Sequence, residues 1–358
     1  MLSPRTQGTP RGYLYPVPPN KIPTPTKCLR NPAPSPIRST SSPNNRSTAK
    51  MAYGRRRSYR YRARKPIGRS GRRSSYIAKT PRYRNRKSYR RKGRRMTTRS
   101  ILNKTSEKKR DTMMSWTNVV APRNQGNTNY GTAPARLIGG STEEYTFVFA
   151  ATARSNQSDN SAGRGTKFYQ ATRTNTTCYM RGLKERCEVT CNSGMPWQWR
   201  RICFTTKGVF FTPANGFAPN LLTSNGYVRI VNEVFGDFKT ALYNILFKGA
   251  RNSDWTDPLI APHDNSRVTI MYDKTVNLAS GNDEGFIRMY NRWHGMNKNL
   301  IYSDDESGGN MDMADFSARG KAGMGDYYVI DLFRPRTGSS ADDQLLFQPN
   351  STLYWHEK

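Results

Sequence analysis

Between positions 54 and 95 the chain carries 20 Lys or Arg and no Asp or Glu, with Tyr59, Tyr61, Tyr76, Tyr83 and Tyr89 interleaved and Tyr53 just before. Arginine neutralises phosphate and bonds it through a bidentate fork, and tyrosine offers a flat face on which an unpaired base can stack. No helical period organises the run. The chemistry it suits is therefore charge neutralisation and stacking on single-stranded nucleic acid, without reading of base sequence. The candidate contacts are Arg55, Arg56, Arg57, Tyr59, Arg60, Tyr61, Arg62, Arg64, Lys65, Arg72, Arg73, Arg82, Arg84, Arg86 and Lys87. A solvated charge run accounts for five or six like charges, but 20 without one acid call for a polyanion. At the end of the run, Arg90, Arg91, Lys92, Arg94 and Arg95 form a compact basic cluster that also reads as a nuclear import signal, implying a host import receptor as a partner.

The charge is distributed very unevenly. The first acidic residue is Glu107, and the 106 residues before it hold 30 of the 59 Lys and Arg. From Glu107 to Lys358 there are 29 basic and 25 acidic residues, so nearly all of the net +34 sits in one third of the chain. Such a block repels itself and has little apolar surface to bury, which predicts a disordered basic arm on a nearly neutral body. Residues 1–50 differ in composition from the cationic run, with 11 of the 22 prolines and 8 basic residues. They favour polyproline II or coil. Two readings stand for this segment: an extension that is dispensable because Met51 is a second start, or one continuous disordered arm. No apolar stretch has the length of a signal-peptide core or a membrane span. The expected organisation is 1–50 as a Pro/Ser-rich extension, 51–110 as an Arg/Tyr-rich nucleic-acid-binding arm, and 111–358 as one large domain.

In that domain apolar residues recur at period two. Tyr145, Phe147 and Phe149 alternate with Glu144, Thr146 and Val148, and Cys187, Val189 and Cys191 alternate with Arg186, Glu188 and Thr190. Similar alternation covers 227–234 and 267–273, and β-branched or aromatic residues mark 197–206, 284–302, 327–334 and 344–355. This pattern predicts about eight strands. One helical window spans Asp237 to Lys248, where Phe238, Leu242, Ile245 and Leu246 share a face and Gly249 can close the helix. Many strands and long polar loops, at about 154–175, 213–225, 250–266 and 303–326, predict an all-β fold, a β-sandwich or jelly roll, with loops that serve as subunit contacts.

Other chemistry is sparse. The chain has five cysteines, Cys28, Cys178, Cys187, Cys191 and Cys203, an odd number that points to reduced thiols. Cys187 and Cys191 could ligate zinc with His263 or His294, but their shared strand face reads first as core packing. Asp304, Asp305, Glu306 and Asp312 offer oxygen ligands for calcium without matching an EF-hand loop, so a solvated or inter-subunit acidic loop is the favoured reading. With three histidines and no Walker A, G-x-S-x-G or H-E-x-x-H sequence, no catalytic constellation emerges; neither an enzyme nor a cofactor is expected. Strand alternation places Arg288, Tyr290 and Arg292 on one face and Ile287, Met289 and Trp293 on the other. Arg288 and Arg292 are candidate nucleic-acid contacts from the folded wall, with an ordinary solvent face as the alternative.

A basic Arg/Tyr arm followed by a β-rich body resembles the capsid proteins of small circular single-stranded DNA viruses. Met51-Ala52-Tyr53 before the Arg-rich run, Arg99-Ser100-Ile101-Leu102-Asn103-Lys104-Thr105-Ser106-Glu107-Lys108-Lys109-Arg110-Asp111, Asn299-Leu300-Ile301-Tyr302-Ser303-Asp304-Asp305-Glu306 and Gly323-Met324-Gly325-Asp326-Tyr327-Tyr328-Val329-Ile330-Asp331-Leu332-Phe333 are similar to genomovirus (gemycircularvirus) capsid proteins, over about 51–358. Residues 1–50 depart from that pattern. The resemblance implies a single jelly roll, about 60 copies closed into a small T=1 icosahedral shell, and an encapsidated single-stranded circle. It thus implies a homo-oligomer located in the virion and, during infection, in the host nucleus. The more distant geminivirus coat proteins imply nuclear shuttling of the genome. The competing readings from composition alone are a cellular nucleic-acid-packaging or ribosome-associated protein with a basic arm, and a metal-dependent nuclease.

Overall fold

The computed structural model describes residues 96–120, 129–141, 143–161, 163–208 and 218–358. The readings made on 1–50 and on the cationic run 54–95 lie outside the described residues. Helix α1 (Thr98–Thr105) starts where the Thr97 side chain accepts the Ser100 N–H, an N-cap that satisfies one of the otherwise orphaned donors of the first turn. None of its residues is buried. Alternation predicts no helix here, because α1 has no apolar face packed on the core.

The chain then runs through β1 (Glu107–Met113), β2 (Ser115–Thr117), β3 (Ala135–Ile138), β4 (Tyr145–Ala150), β5 (Thr177–Cys191) and β6 (Trp197–Thr206). After these come β7 (Leu222–Thr223), β8 (Gly226–Tyr227), β9 (Arg229–Glu233) and α2 (Gly236–Leu246). The remainder is β10 (Thr269–Leu278), β11 (Phe286–Ile301), β12 (Asp305–Ser307), β13 (Asn310–Asp312), β14 (Asp326–Pro335) and β15 (Gln344–Glu357). The first sheet has the order β1-β15-β5-β11, with β3 also on β15, and the second the order β10-β6-β14-β4-β9-β2. Every pairing in the two sheets is antiparallel except β2 with β9. Counting the eight longest strands along the chain, the first sheet reads 1-8-3-6 and the second 5-4-7-2. The fold is an all-β sandwich, and each of the eight stretches expected from alternation holds a strand, the one over 227–234 being β9; β1 is a further long strand that alternation did not mark.

The first sheet behaves as period two predicts. On β5, β1 and β15, buried and exposed residues alternate for most of their length. The second sheet does not. All six residues of β4 are buried, and so are nine of the ten in β14. One face of these strands meets the first sheet; the other is covered by α2 and by the segment after it, whose Trp255, Leu259 and Ala261 pack on Ile202, Phe204, Ile330 and Leu332. Each large apolar side chain removed from water there contributes about 1.5–3 kcal/mol. The stretch 250–266 is thus a lid over the core and not a free loop. Within α2 the buried residues are Lys239, Leu242, Tyr243 and Leu246, while Phe238 and Ile245 flank them half-buried. Lys239 is inside because its Nζ lies 2.8 Å from Glu144, which also accepts the Tyr243 hydroxyl at 2.7 Å. Gly249 lies three residues past the helix at φ +84°, where a Cβ would strike the Asp254 carboxylate that caps Ala250 N–H.

Candidate functional site

Every candidate contact from Arg55 to Lys87, and the cluster Arg90 to Arg95, lies outside the described residues. The structure does show where the segment after them enters the sandwich. Helix α1 leads directly into β1, whose Glu107 pairs with Glu357 at the end of β15. In sequence, therefore, the cationic run adjoins an edge of the first sheet.

Arg288 and Arg292 require a correction. They stand on the β11 face that turns toward the second sheet, not on the open face. Arg292 is half-buried, with its guanidinium 4.6 Å from the Trp199 ring centroid on β6 and bonded to the Tyr272 hydroxyl on β10. Tyr290 meets Trp199 edge-on at 5.2 Å. Arg288 is exposed but folds back, covering Phe286 and donating to the Ala279 carbonyl at 2.7 Å. The open face carries Ile287, Met289 and Trp293, which are 74%, 40% and 54% exposed. Arg292 does not face water as the alternation suggests, whereas Arg288 stays exposed. Here the inter-sheet layer itself is charged and aromatic, so cation–π contacts draw the arginine inward.

That layer has a regular construction. Along β5, Leu183, Glu185 and Cys187 point inward; along β6, Trp199, Arg201 and Cys203; along β14, Val329, Asp331 and Phe333. In each strand an ionic residue sits at the centre of an apolar row, and the four strands β5, β6, β9 and β14 bring these residues together. Arg201 donates to Asp331 from Nε (2.6 Å) and Nη2 (2.8 Å) and also bonds Glu185. Arg229 donates to Glu185 (2.9 Å) and Asp331 (3.2 Å), Ser351 to Glu185 (2.8 Å), and Trp199 Nε1 to Asp331 (2.8 Å). Between the two sheets this charged cluster stands between two apolar clusters, one around Trp355 and one around Trp199. Burial alone would push the Glu185 carboxyl up, but Arg201 and Arg229 outweigh it and hold it well below the usual range. His294 borders the cluster, 3.7 Å from Glu185, yet burial lowers it to about 4. It is neutral at pH 7, and its contact with Glu185 is not an ion pair. Sequence reading offers no signal for this cluster, since a lone charge in an apolar row looks like a break in the row.

The loops are pinned in the same way. Arg173, fully buried, grips Asp304 through Nη1 (2.6 Å) and Nη2 (2.9 Å), donates to Arg154 and Ala314 carbonyls, and stacks 3.8 Å from the Tyr302 ring centroid. Asp304 is thus not a solvated member of the acidic loop. The rest of that loop is the β12–β13 hairpin, with Asp305 opposite Asp312, both exposed. Among the described residues, no group of three or more His, Cys, Asp or Glu is placed to hold a metal ion. Cys178, Cys187, Cys191 and Cys203 are free and buried. Cys187 and Cys191 pack with Val189, Phe347 and Trp197. Burial raises the Cys187 and Cys203 thiols to about 12. Two open clefts, of about 550 and 460 Å³, are lined around Trp197, Arg334 and Arg336, and around Arg164, Asp312 and Asp315; neither lining contains a His or Cys. Among the described residues no helix is long and apolar enough to cross a membrane. No family model matches the chain, and no curated protein matches it.

Proposed function

We propose that the protein is the capsid subunit of a small circular single-stranded DNA virus of the genomovirus kind. The sandwich tiles a closed icosahedral shell, and the basic arm lines its interior and neutralises the packaged DNA. The observation that carries this reading is a conjunction. Thirty cations without an acid precede a sandwich whose eight long strands run 1-8-3-6 against 5-4-7-2. We infer that this order is that of a jelly roll, a fold that closes two sheets without long free edges and recurs in viral shells. The cluster Arg90 to Arg95 serves import into the host nucleus, and particles carry the protein in the virion.

The charge balance is consistent with a short single-stranded genome. About 60 equivalent subunits in the simplest closed icosahedral shell would bring roughly 1,800 interior positive charges, or roughly 1,300 from a chain starting at Met51. With residual small cations that suits on the order of 2,000 nucleotides of single strand, at one charge each. A duplex of that length carries twice the charge and has a persistence length of about 50 nm, too stiff for so small a cavity. Electron microscopy of the purified protein tests the reading: uniform closed particles are expected, holding nucleic acid that a single-strand-specific nuclease digests after extraction. Absence of closed particles, or nuclease-resistant nucleic acid, overturns it.

A further inference from the structure

Residues of the first sheet that point away from the second sheet form a basic, aromatic face. Lys108 and Arg110 on β1, Arg136 on β3, and Lys184 and Arg186 on β5 are all exposed. Strand register places them side by side: Arg110 is opposite Tyr354, and Lys184 lies between Thr352 and Trp293. Among the outward positions of these five strands, Glu188 is the single carboxylate. The contrast with the interior is sharp. Buried Arg154, Arg173, Arg200, Arg201 and Arg229 each have a carboxylate within 3.2 Å, whereas none of the five exposed cations has an ion-pair partner among the described residues.

An aromatic platform crosses the same face. The Trp293 ring lies over Gly182 and reaches Tyr354, 5.8 Å between centroids. Gly182 makes this possible, because a Cβ there would come within 2.8 Å of the Trp293 ring and 2.5 Å of the His294 carbonyl. Of the six tryptophans, Trp293 alone is exposed, at 54%. Tyr179 and His356 form a second ring pair at 6.0 Å.

The geometry points to this face as a second nucleic-acid site, on the folded wall and separate from the arm, taking single-stranded DNA by phosphate neutralisation and base stacking. Cations without ion-pair partners beside an exposed ring packed on a glycine are the two elements that sequence-tolerant single-strand binding needs. A duplex has no exposed base to stack. The occupant is argued from charge: five cations against one acid favour a polyanion over a second copy of this near-neutral body. This inference rests on the packaging function proposed above and adds to it the surface that orients the DNA against the shell.

The test uses the full chain and oligothymidylate, read by tryptophan emission and by binding at several salt concentrations. Binding should quench Trp293, and Trp293→Ala should abolish the quench and weaken binding about tenfold through loss of one stacked base. Lys184→Gln with Arg186→Gln should reduce the slope of log affinity against log salt by about 1.4, at roughly 0.7 per phosphate contact. Glu188→Gln should tighten binding about threefold by removing the opposing charge, a gain that misfolding cannot produce. If oligothymidylate binds but the quench is absent and the slope is unchanged in the double variant, the arm alone binds and this inference falls while the packaging reading stands. If Trp293 emission instead changes with protein concentration without DNA, a second copy occupies the face and the inference falls. If the full chain binds no single-stranded DNA even at low salt, the packaging reading itself fails.

Discussion

Arg201 on β6 and Asp331 on β14 are register partners in adjacent strands, and their side chains meet through two N–H···O bonds of 2.6 and 2.8 Å at the centre of the sandwich. Both are almost fully buried. Removing one partner leaves the other charge without compensation. Arg201→Met should therefore destabilise the fold by about 3–5 kcal/mol, read as a fall in the urea unfolding midpoint at pH 7. A loss below about 1 kcal/mol would mean that Arg229 alone satisfies both acids.

The neighbouring His294 gives stability a pH dependence. It faces Glu185, Arg201, Arg292 and Asp331, together with Tyr272, Tyr327 and Cys203. Folding lowers its pKa from 6.5 to about 4, so between those values the unfolded chain binds the extra proton. Its contribution is complete above pH 6.5 and is lost as pH falls toward 4, on the order of 3 kcal/mol. Asp326 works in the opposite sense. Burial raises it from 3.8 to about 6, against hydrogen bonds from Ser317, so its contribution is complete below 3.8 and is lost as pH rises through 6. Urea unfolding of His294→Gln and Asp326→Asn at pH 7 and 4.5 separates the two. The first variant should lose less stability than wild type on acidification and the second more.

The cysteines should behave as packing residues. Cys187→Ala or Cys191→Ala should cost about 1–2 kcal/mol through lost burial and the cavity left behind. With the Cys187 and Cys203 thiols raised to about 12, neither should react with a thiol reagent at pH 8 until the protein is unfolded. Stoichiometric zinc in the purified protein, or rapid native labelling of Cys187, would contradict this.

Deleting residues 54–95 removes 20 cations and no acid. The sandwich should retain its unfolding midpoint, while most nucleic-acid affinity and most of its salt dependence should disappear. Filter binding across a salt series measures both. An unchanged slope would place the main site on the sandwich. A fluorescent fusion carrying residues 86–110 should enter nuclei if Arg90 to Arg95 act as an import signal; cytoplasmic retention counts against it.

Most of the architecture was legible in the order of residues. Period-two alternation in Cys187-Val189-Cys191 and in Tyr145-Phe147-Phe149 marks strands, because a residue's face follows from its parity. The α2 window was also readable, since Leu242 and Leu246 are four apart on one face. What alternation cannot decide is which face meets which layer. Arg292 is inward and Trp293 outward because Trp199, on a strand more than 90 residues earlier, supplies the ring that Arg292 covers. The same holds for Glu185, Arg201 and Asp331: each is the one charge in the inward row of its own strand, and only the pairing of strands, with Arg229 from β9, gives it a partner. A buried charge needs compensation within a few ångströms, and that distance is set by the tertiary structure and not by sequence separation.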